Sequence, residues 1–310
     1  MNKNIGMHII DKLGLQDIVN VLSCELSGSE LNSVLLEVFN KYIQQETPSS
    51  LLKKYEGNRL VKPVPIDIIK CKEDELNCYK ILAAQEFEPI ELSPVAQMGT
   101  SSIMATVNQK KVLTALRGAE VQADPTNAIA LHYSLQKKKG KLENKTHNYG
   151  NISRVIRTQA FSNPNFNPHF SVLCLVSCGK DTGSFNFEKK ELLKHLTTSY
   201  EICKTIYCLE QIYFEIIPCK GYNSFSPLIV DTISYIQEKE KGFKVSIVEP
   251  DSDNNYYYGF RMKLKTTLNG VIYEIGDGGL LDWTQQLLAN KKERMMTMGI
   301  GVQMLHQITK

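Results

Sequence analysis

Two arginines that could bind an anion, Arg154 and Arg157, lie in the apolar run ISRVIRTQAF. If this run is a β-strand, residues three apart point to opposite faces of the sheet. At least one of the two guanidinium groups then lies on a covered face, where it needs an anionic partner. A carboxylate of the protein and a bound ligand both meet that need, so the sequence leaves the two alternatives open.

A carboxylate that could bind a cation heads the segment Asp124-Pro125-Thr126-Asn127, which precedes AIALHYSLQKKK. An acidic N-cap, a proline in the first turn and lysines in the last turn are all typical of an α-helix. The pattern therefore predicts a helix that begins after Asp124. Asp124 either only caps this helix or also serves as a binding group, and the local pattern does not separate the two roles.

Other candidate motifs have simpler structural explanations. GDGG at 276–279 could cradle a phosphate with backbone N–H groups, but it lacks the lysine of a P-loop, so a tight turn before a helix is favoured. Tyr256, Tyr257 and Tyr258 could form the wall of a ligand site, yet aromatic residues are common in strands anyway. The eight cysteines include no CxxC pair and no histidine has metal-ligand spacing, so we predict reduced core thiols and no metal site.

The composition is that of a globular protein with an ordinary hydrophobic core. The 310 residues are 42% hydrophobic and 22% charged, which excludes collagen-like and disordered chains. The formal net charge of +3 gives no reason to expect a nucleic acid as partner. No stretch is apolar over the roughly 18 residues that a membrane span needs, and the N-terminus lacks a secretory signal, so we predict a cytoplasmic protein with no membrane partner.

The elements that would position these groups follow from the hydrophobic spacing. Apolar residues three and four apart predict a helical segment over residues 1–62, with a soft domain boundary before Pro63. Beyond it, ISRVIRTQAF and HFSVLCLVSC pair across SNPNFNP, and Asn269-Gly270 specifies a two-residue turn between two alternating runs. Because hairpins dominate the strand pairings, the prediction for residues 63–310 is an α+β fold with an antiparallel β-sheet flanked by helices.

The order of these segments resembles the catalytic core of class II aminoacyl-tRNA synthetases. The segments ALRGAEVQADPTNAIAL, RVIRTQAF, HFSVLCLVSCG, YYYG, GDGGLLDWTQQLL and MGIGVQML follow one another as the corresponding motifs do in that class, over residues 65–308. The likeness is strongest to the histidyl-tRNA synthetase branch, which includes the regulatory subunit of ATP phosphoribosyltransferase. The resemblance implies a class II synthetase-like core and a homodimer.

The resemblance also assigns ligand contacts by position. Asp124 and Thr126 fall where that branch holds the ammonium of an amino acid, and Arg157 falls on the arginine beside the α-phosphate of the nucleotide. The substrate-side strand and the glycine loop of the family correspond to Tyr257, Tyr258, Gly278 and Gly279. Because the family uses these positions with ATP and magnesium, the resemblance implies ATP with magnesium as the candidate cofactor pair.

Several family positions are changed in this chain. Met304 and Leu280 stand where the family has arginines, Gln159 replaces an acid, and HFSVLCLVSCG is apolar where the family has a glutamine and a metal-binding glutamate. A cationic clamp and a magnesium ligand are therefore lost together, which should cripple ATP activation. The chain also leaves no room for an anticodon-binding domain, so tRNA is not expected as a partner.

Two functions fit these observations. The first is a synthetase paralogue that binds an amino acid-like or nucleotide ligand without charging tRNA, with a regulatory role beside a partner enzyme. The alternative is a ligase that adenylates a carboxylate with ATP and passes it to an acceptor other than tRNA. Met304 and Leu280 favour the first function, whereas Arg157 and the intact Asp124–Thr126 segment keep the second open. The sequence does not identify catalytic residues for either.

Overall fold

A computed structural model gives the structure of the protein over residues 5–159, 167–250 and 256–309. The N-terminal part contains α1 (Ile5–Lys12), α2 (Ile18–Asn20), α3 (Gly28–Ile43), α4 (Pro48–Gly57), a π turn at Val21–Glu25 and a 3-10 turn at Arg59–Val61. None of these four helices has a buried residue. Ser27 and Thr47 form reciprocal capping bonds with Glu30 and Ser50 at the starts of α3 and α4, so local capping supports these helices in place of core packing.

The described part of the remaining chain builds two sheets and the helices that cover them. The helices are α5 (Ile68–Ala84), α6 (Pro125–Lys138), α7 (Asn186–Thr205), α8 (Pro227–Lys239), α9 (Trp283–Leu288) and α10 (Val302–Ile308). The strands are β1 (Glu88–Pro89), β2 (Val95–Gln97), β3 (Thr114–Ala115), β4 (Ala119–Val121), β5 (His147–Ile156), β6 (His169–Lys180), β7 (Ile212–Pro218), β8 (Lys244–Ile247), β9 (Tyr258–Leu268), β10 (Val271–Leu281) and β11 (Glu293–Ile300). No helix in these ranges combines the length and the apolar character that crossing a membrane requires.

The large sheet has the strand order β1-β5-β6-β11-β10-β9-β7-β8, and a small antiparallel sheet has the order β2-β4-β3. Between β5 and β7 every pairing in the large sheet is antiparallel, including the predicted β5–β6 and β9–β10 hairpins. The tip of the first hairpin, at 160–166, lies outside the described residues. The outer pairs β1–β5 and β7–β8 are parallel, so the prediction of a purely antiparallel sheet is wrong and the sheet is mixed. The chain passes from β7 to β8 through α8, and a helical crossover of this kind returns the chain in the same direction.

Both faces of the sheet are covered, which explains the continuous apolar run of β6. Leu173 and Leu175 pack into a core shared with α5, α7, α8 and α10. Cys174, Val176 and Cys178 pack into a second core shared with α6 and α9. A strand that is buried on both sides has no reason to alternate polar and apolar residues. The face that carries α6 also carries the cavity described below.

The glycines of GDGG lie inside β10, so the predicted glycine loop before α9 is wrong. A Cβ atom on Gly278 would collide with the carbonyl oxygen of Thr297 on β11, and one on Gly279 would collide with the carbonyl oxygen of Phe260 on β9. The neighbouring backbones approach these positions too closely for any side chain. The glycines are therefore explained by strand packing.

Candidate ligand-binding site

A cavity of about 380 Å³ lies where the beginning of α6 meets β6, β11, β10 and β9. A volume of this size suits a small-molecule ligand. Four of the seven ligand contacts that the resemblance assigns line it, namely Asp124, Thr126, Arg157 and Tyr257. Three others, Tyr258, Gly278 and Gly279, lie outside the lining.

Asp124 is held at the start of α6 by two hydrogen bonds. Its Oδ1 accepts from the backbone N–H of Thr126 at 2.9 Å, and its Oδ2 accepts from the hydroxyl of Tyr256 at 2.9 Å. Burial raises the pKa of Tyr256, and the charge of Asp124 raises it further, so the hydroxyl remains a donor. The helix cap and a place in the cavity wall therefore coexist, because each carboxylate oxygen keeps a lone pair for a ligand.

Thr126 belongs to a buried cluster that ties α6 to the sheet. Its hydroxyl lies 3.0 Å from the hydroxyl of Thr297 and 3.3 Å from the thiol of Cys174. Thr297 also donates to the carbonyl oxygen of Leu175 at 3.2 Å. Burial raises the pKa of Cys174 to about 12, so this thiol is protonated at neutral pH and is not a nucleophile. The cluster positions the helix end that carries Asp124.

Arg157 follows directly on the end of β5 and lines the cavity. Its guanidinium carbon lies 5.4 Å from the centre of the Phe170 ring. Within 5–159, 167–250 and 256–309, neither Arg157 nor Lys111, which also lines the cavity, forms an ion pair. Arg154 has different surroundings, since its Nε donates to Nδ1 of His169 at 2.8 Å. Arg154 on β5 and Arg157 beyond the end of β5 therefore have different neighbours.

A second polar feature of the cavity wall escapes sequence reasoning. Arg261 on β9 and Asp277 on β10 form a bidentate pair, with Nε to Oδ1 at 2.7 Å and Nη2 to Oδ2 at 2.9 Å. Burial raises the pKa of Asp277, and Arg261 opposes that rise. The only signal for this ion pair in the sequence is that the two residues have opposite charges and lie on strands that pair. The exact partners cannot be read from it, because the β9–β10 register shifts between Glu274 and Gly276.

The charges of the lining define what the cavity can hold. Arg261 and Asp277 neutralise each other, which leaves Asp124 and the cations of Lys111 and Arg157 as the other charged groups of the lining. Such an arrangement fits a ligand that carries both an ammonium and an anion. In the described chain no group of three His, Cys, Asp or Glu residues could hold a metal ion.

The positions at which the resemblance places arginines lie away from the cavity. Leu280 is buried, and Met304 packs against the core shared with α5, α7, α8 and α10. The cavity floor presents Val172, Cys174 and Gly299. The part of the lining that β6 contributes is therefore largely apolar.

The fold resembles solved structures at low sequence identity. The ATP phosphoribosyltransferase regulatory subunit/histidyl-tRNA synthetase from Bacillus halodurans has a TM-score of 0.61 and 10% identity, over 80% of this chain and 83% of that chain. Histidyl-tRNA synthetase from S. aureus has a TM-score of 0.62 and 12% identity, over 81% and 68%. A histidine–tRNA ligase subunit from Alicyclobacillus acidocaldarius has a TM-score of 0.57 and 10% identity, over 80% and 94%. No family description and no curated protein sequence matches the chain.

The fold is therefore that of the class II aminoacyl-tRNA synthetases. Within that class it is histidyl-tRNA synthetase-like, as the order of the motifs predicted. A likeness at this level of identity shows a shared fold, and the activity depends on the cavity of this chain.

Proposed function

We propose that the protein is a synthetase-like paralogue that binds an amino acid-like ligand in the cavity and does not charge tRNA. The main support is the opposition of charges, with Asp124 at the head of α6 and Arg157 and Lys111 without a carboxylate partner in the described chain. An amino acid presents an ammonium and a carboxylate on one carbon and can pair with both. A nucleotide has no ammonium for Asp124, so we favour an amino acid-like ligand.

The donor set of the cavity does not favour ATP with magnesium. Magnesium is held in such sites by carboxylates together with phosphate oxygens. The strand that carries the metal-binding glutamate in the family gives this cavity Val172 and Cys174, neither of which supplies a carboxylate. Met304 also leaves the γ-phosphate side of ATP without the arginine that the resemblance places there. We therefore propose binding without activation.

A regulatory role fits a protein that binds an amino acid without activating it. The Bacillus halodurans protein is named as an ATP phosphoribosyltransferase regulatory subunit/histidyl-tRNA synthetase. We propose that this chain likewise reports the presence of its ligand to a partner enzyme. The homodimer and the cytoplasmic location that were expected from the sequence stay predictions.

The second candidate is a ligase that adenylates a carboxylate and passes it to a non-tRNA acceptor. Arg157 favours it, because a guanidinium without a carboxylate partner in the described chain could stabilise the charge that builds on the α-phosphate as pyrophosphate leaves. This candidate requires ATP with magnesium, whereas the first does not.

Two measurements separate the candidates. Thermal shift with each standard amino acid should reveal at least one that raises the melting temperature, because a ligand that binds only the folded state stabilises it by RT ln(1 + [L]/Kd). The N-acetyl form of that amino acid removes the ammonium charge and should lose most of the effect, and the amide form removes the carboxylate charge and should lose a smaller part. ATP–pyrophosphate exchange should stay at background. Robust exchange would establish the ligase, and the absence of any amino acid-induced shift would refute the binding function.

A further inference from the structure

We infer that the Arg261–Asp277 pair contacts the side chain of the bound amino acid and selects a neutral side chain that both donates and accepts hydrogen bonds, with a carboxamide as the best fit. This inference rests on the proposed function. Both residues line the cavity, and their side chains remain 23% and 39% exposed, so a ligand can reach them.

The location of the pair points to the third substituent of the amino acid. Asp124 matches the ammonium, and Arg157 matches the carboxylate. Asp124 bonds to the hydroxyl of Tyr256 at 2.9 Å, and the Tyr256 ring lies 4.8 Å from the ring of Tyr257. Tyr257 in turn hydrogen-bonds Asp277, so both carboxylates lie close to this pair of rings. The Arg261–Asp277 pair is therefore near the ammonium end but separate from it. The remaining group on the α-carbon is the side chain.

The charge balance of the pair favours a neutral group. Arg261 binds Asp277 through Nε and Nη2, and the Tyr257 hydroxyl also bonds to Asp277. The Nη1 of Arg261 and one acceptor position on Asp277 therefore remain available. The nearby Glu274, 3.6 Å from Arg261, is paired with Lys263 at 3.0 Å, so the surrounding charges also cancel. An added carboxylate or ammonium would be unbalanced in a partly buried place, which is costly. A carboxamide supplies an acceptor and donors without a net charge.

The test is whether the preference for an amide over its acid changes when the charge balance between Arg261 and Asp277 is removed. The Kd values for glutamine, glutamate, asparagine and aspartate are measured with the parent protein and with Asp277→Asn. The parent should prefer an amide over its acid by about tenfold or more, the factor that one charge-assisted hydrogen bond provides. Asp277→Asn leaves the Arg261 charge unbalanced, so the preference should reverse toward the acid by a similar factor.

A matched control breaks a comparable ion pair elsewhere. Glu215 binds Lys265 at 2.6 Å, with side-chain exposures of 18% and 19%, and neither residue lines the cavity. Glu215→Gln should therefore keep the preference of the parent. If Asp277→Asn does not fold, Arg261→Lys takes its place, because lysine keeps the charge but cannot form the bidentate contact, and the amide preference should fall by about tenfold.

The outcomes separate the two levels of the proposal. Amino acid binding in the parent with the same preference in the variants would overturn the role of the pair and leave the proposed function standing. A parent that binds no amino acid would overturn the proposed function and this inference together. Binding with a reversed preference in Asp277→Asn supports both.

Discussion

Replacing Asp124 with asparagine separates helix capping from ligand binding. Asparagine caps helices about as well as aspartate, and its Oδ1 can keep the 2.9 Å bond from the N–H of Thr126. Its Nδ2 would replace the oxygen that accepts from Tyr256, and the Tyr256 hydroxyl can rotate to accept instead. The unfolding free energy without ligand should therefore change by less than about 1 kcal/mol.

The loss of charge should act on the bound ammonium. A hydrogen bond to a charged group contributes about 1.5–3 kcal/mol, and a loss of about 2 kcal/mol weakens Kd by about 30-fold. At a ligand concentration of about 100 times the parent Kd, ligand stabilisation is about 2.7 kcal/mol for the parent. The same concentration would stabilise the variant by about 0.9 kcal/mol. About two thirds of the ligand-induced stabilisation should disappear.

The assay is the melting temperature with and without the most stabilising amino acid. Asp67→Asn is the matched control, because Asp67 caps α5 through the N–H of Lys70 at 3.1 Å and does not line the cavity. That variant should keep the full shift of the parent. A full shift in Asp124→Asn as well would show that Asp124 is only a helix cap, and the cavity assignment would have to be abandoned.

Two further predictions concern the fold. Gly278→Ala should lower the unfolding free energy by about 1–3 kcal/mol in urea denaturation, because its Cβ would collide with the carbonyl oxygen of Thr297. Gly242→Ala is the control, because the added carbon there meets no atom within 4 Å. Equal losses in the two variants would contradict the packing argument. Burial lowers the pKa of His195 to about 3, whereas an exposed histidine has a pKa of about 6.5. As the pH falls below about 6.5, the unfolded state therefore binds a proton that the folded state does not. The parent should therefore lose about 2 kcal/mol more stability than His195→Gln between pH 7 and pH 5, and parallel losses in the two proteins would exclude His195 as the cause.

The predictable parts of the fold rest on local signals. The turn at Asn269-Gly270 needs positive φ at both positions, and the structure has 51° and 76° there. The start of α6 rests on a side chain that bonds two residues ahead, from Asp124 to the N–H of Thr126. The residues that produce each of these signals lie within a few positions of one another in the sequence. They were therefore sufficient to place the β9–β10 hairpin and the helix that carries Asp124.

The features that were missed depend on contacts between distant segments. The parallel edge pairs involve β1 and β8, which are short strands whose direction is set by the elements that connect them. The glycines of β10 respond to the backbones of β9 and β11, and their spacing alone looks like a turn. The Arg261–Asp277 pair depends on a bulged register. Each feature becomes visible only when the neighbouring strand is known.

The two ends of the cavity are held differently, and this difference determines how each end contributes to affinity. Asp124 is fixed by the N–H of Thr126 and the hydroxyl of Tyr256, so it loses little conformational freedom when an ammonium binds. In the described chain the guanidinium of Arg157 is restrained by the Phe170 ring and by no ion pair, and ordering such a side chain costs up to about 2 kcal/mol. That cost offsets much of the attraction between Arg157 and a carboxylate. The ammonium end should therefore supply most of the affinity, and Arg157 should mainly orient the ligand.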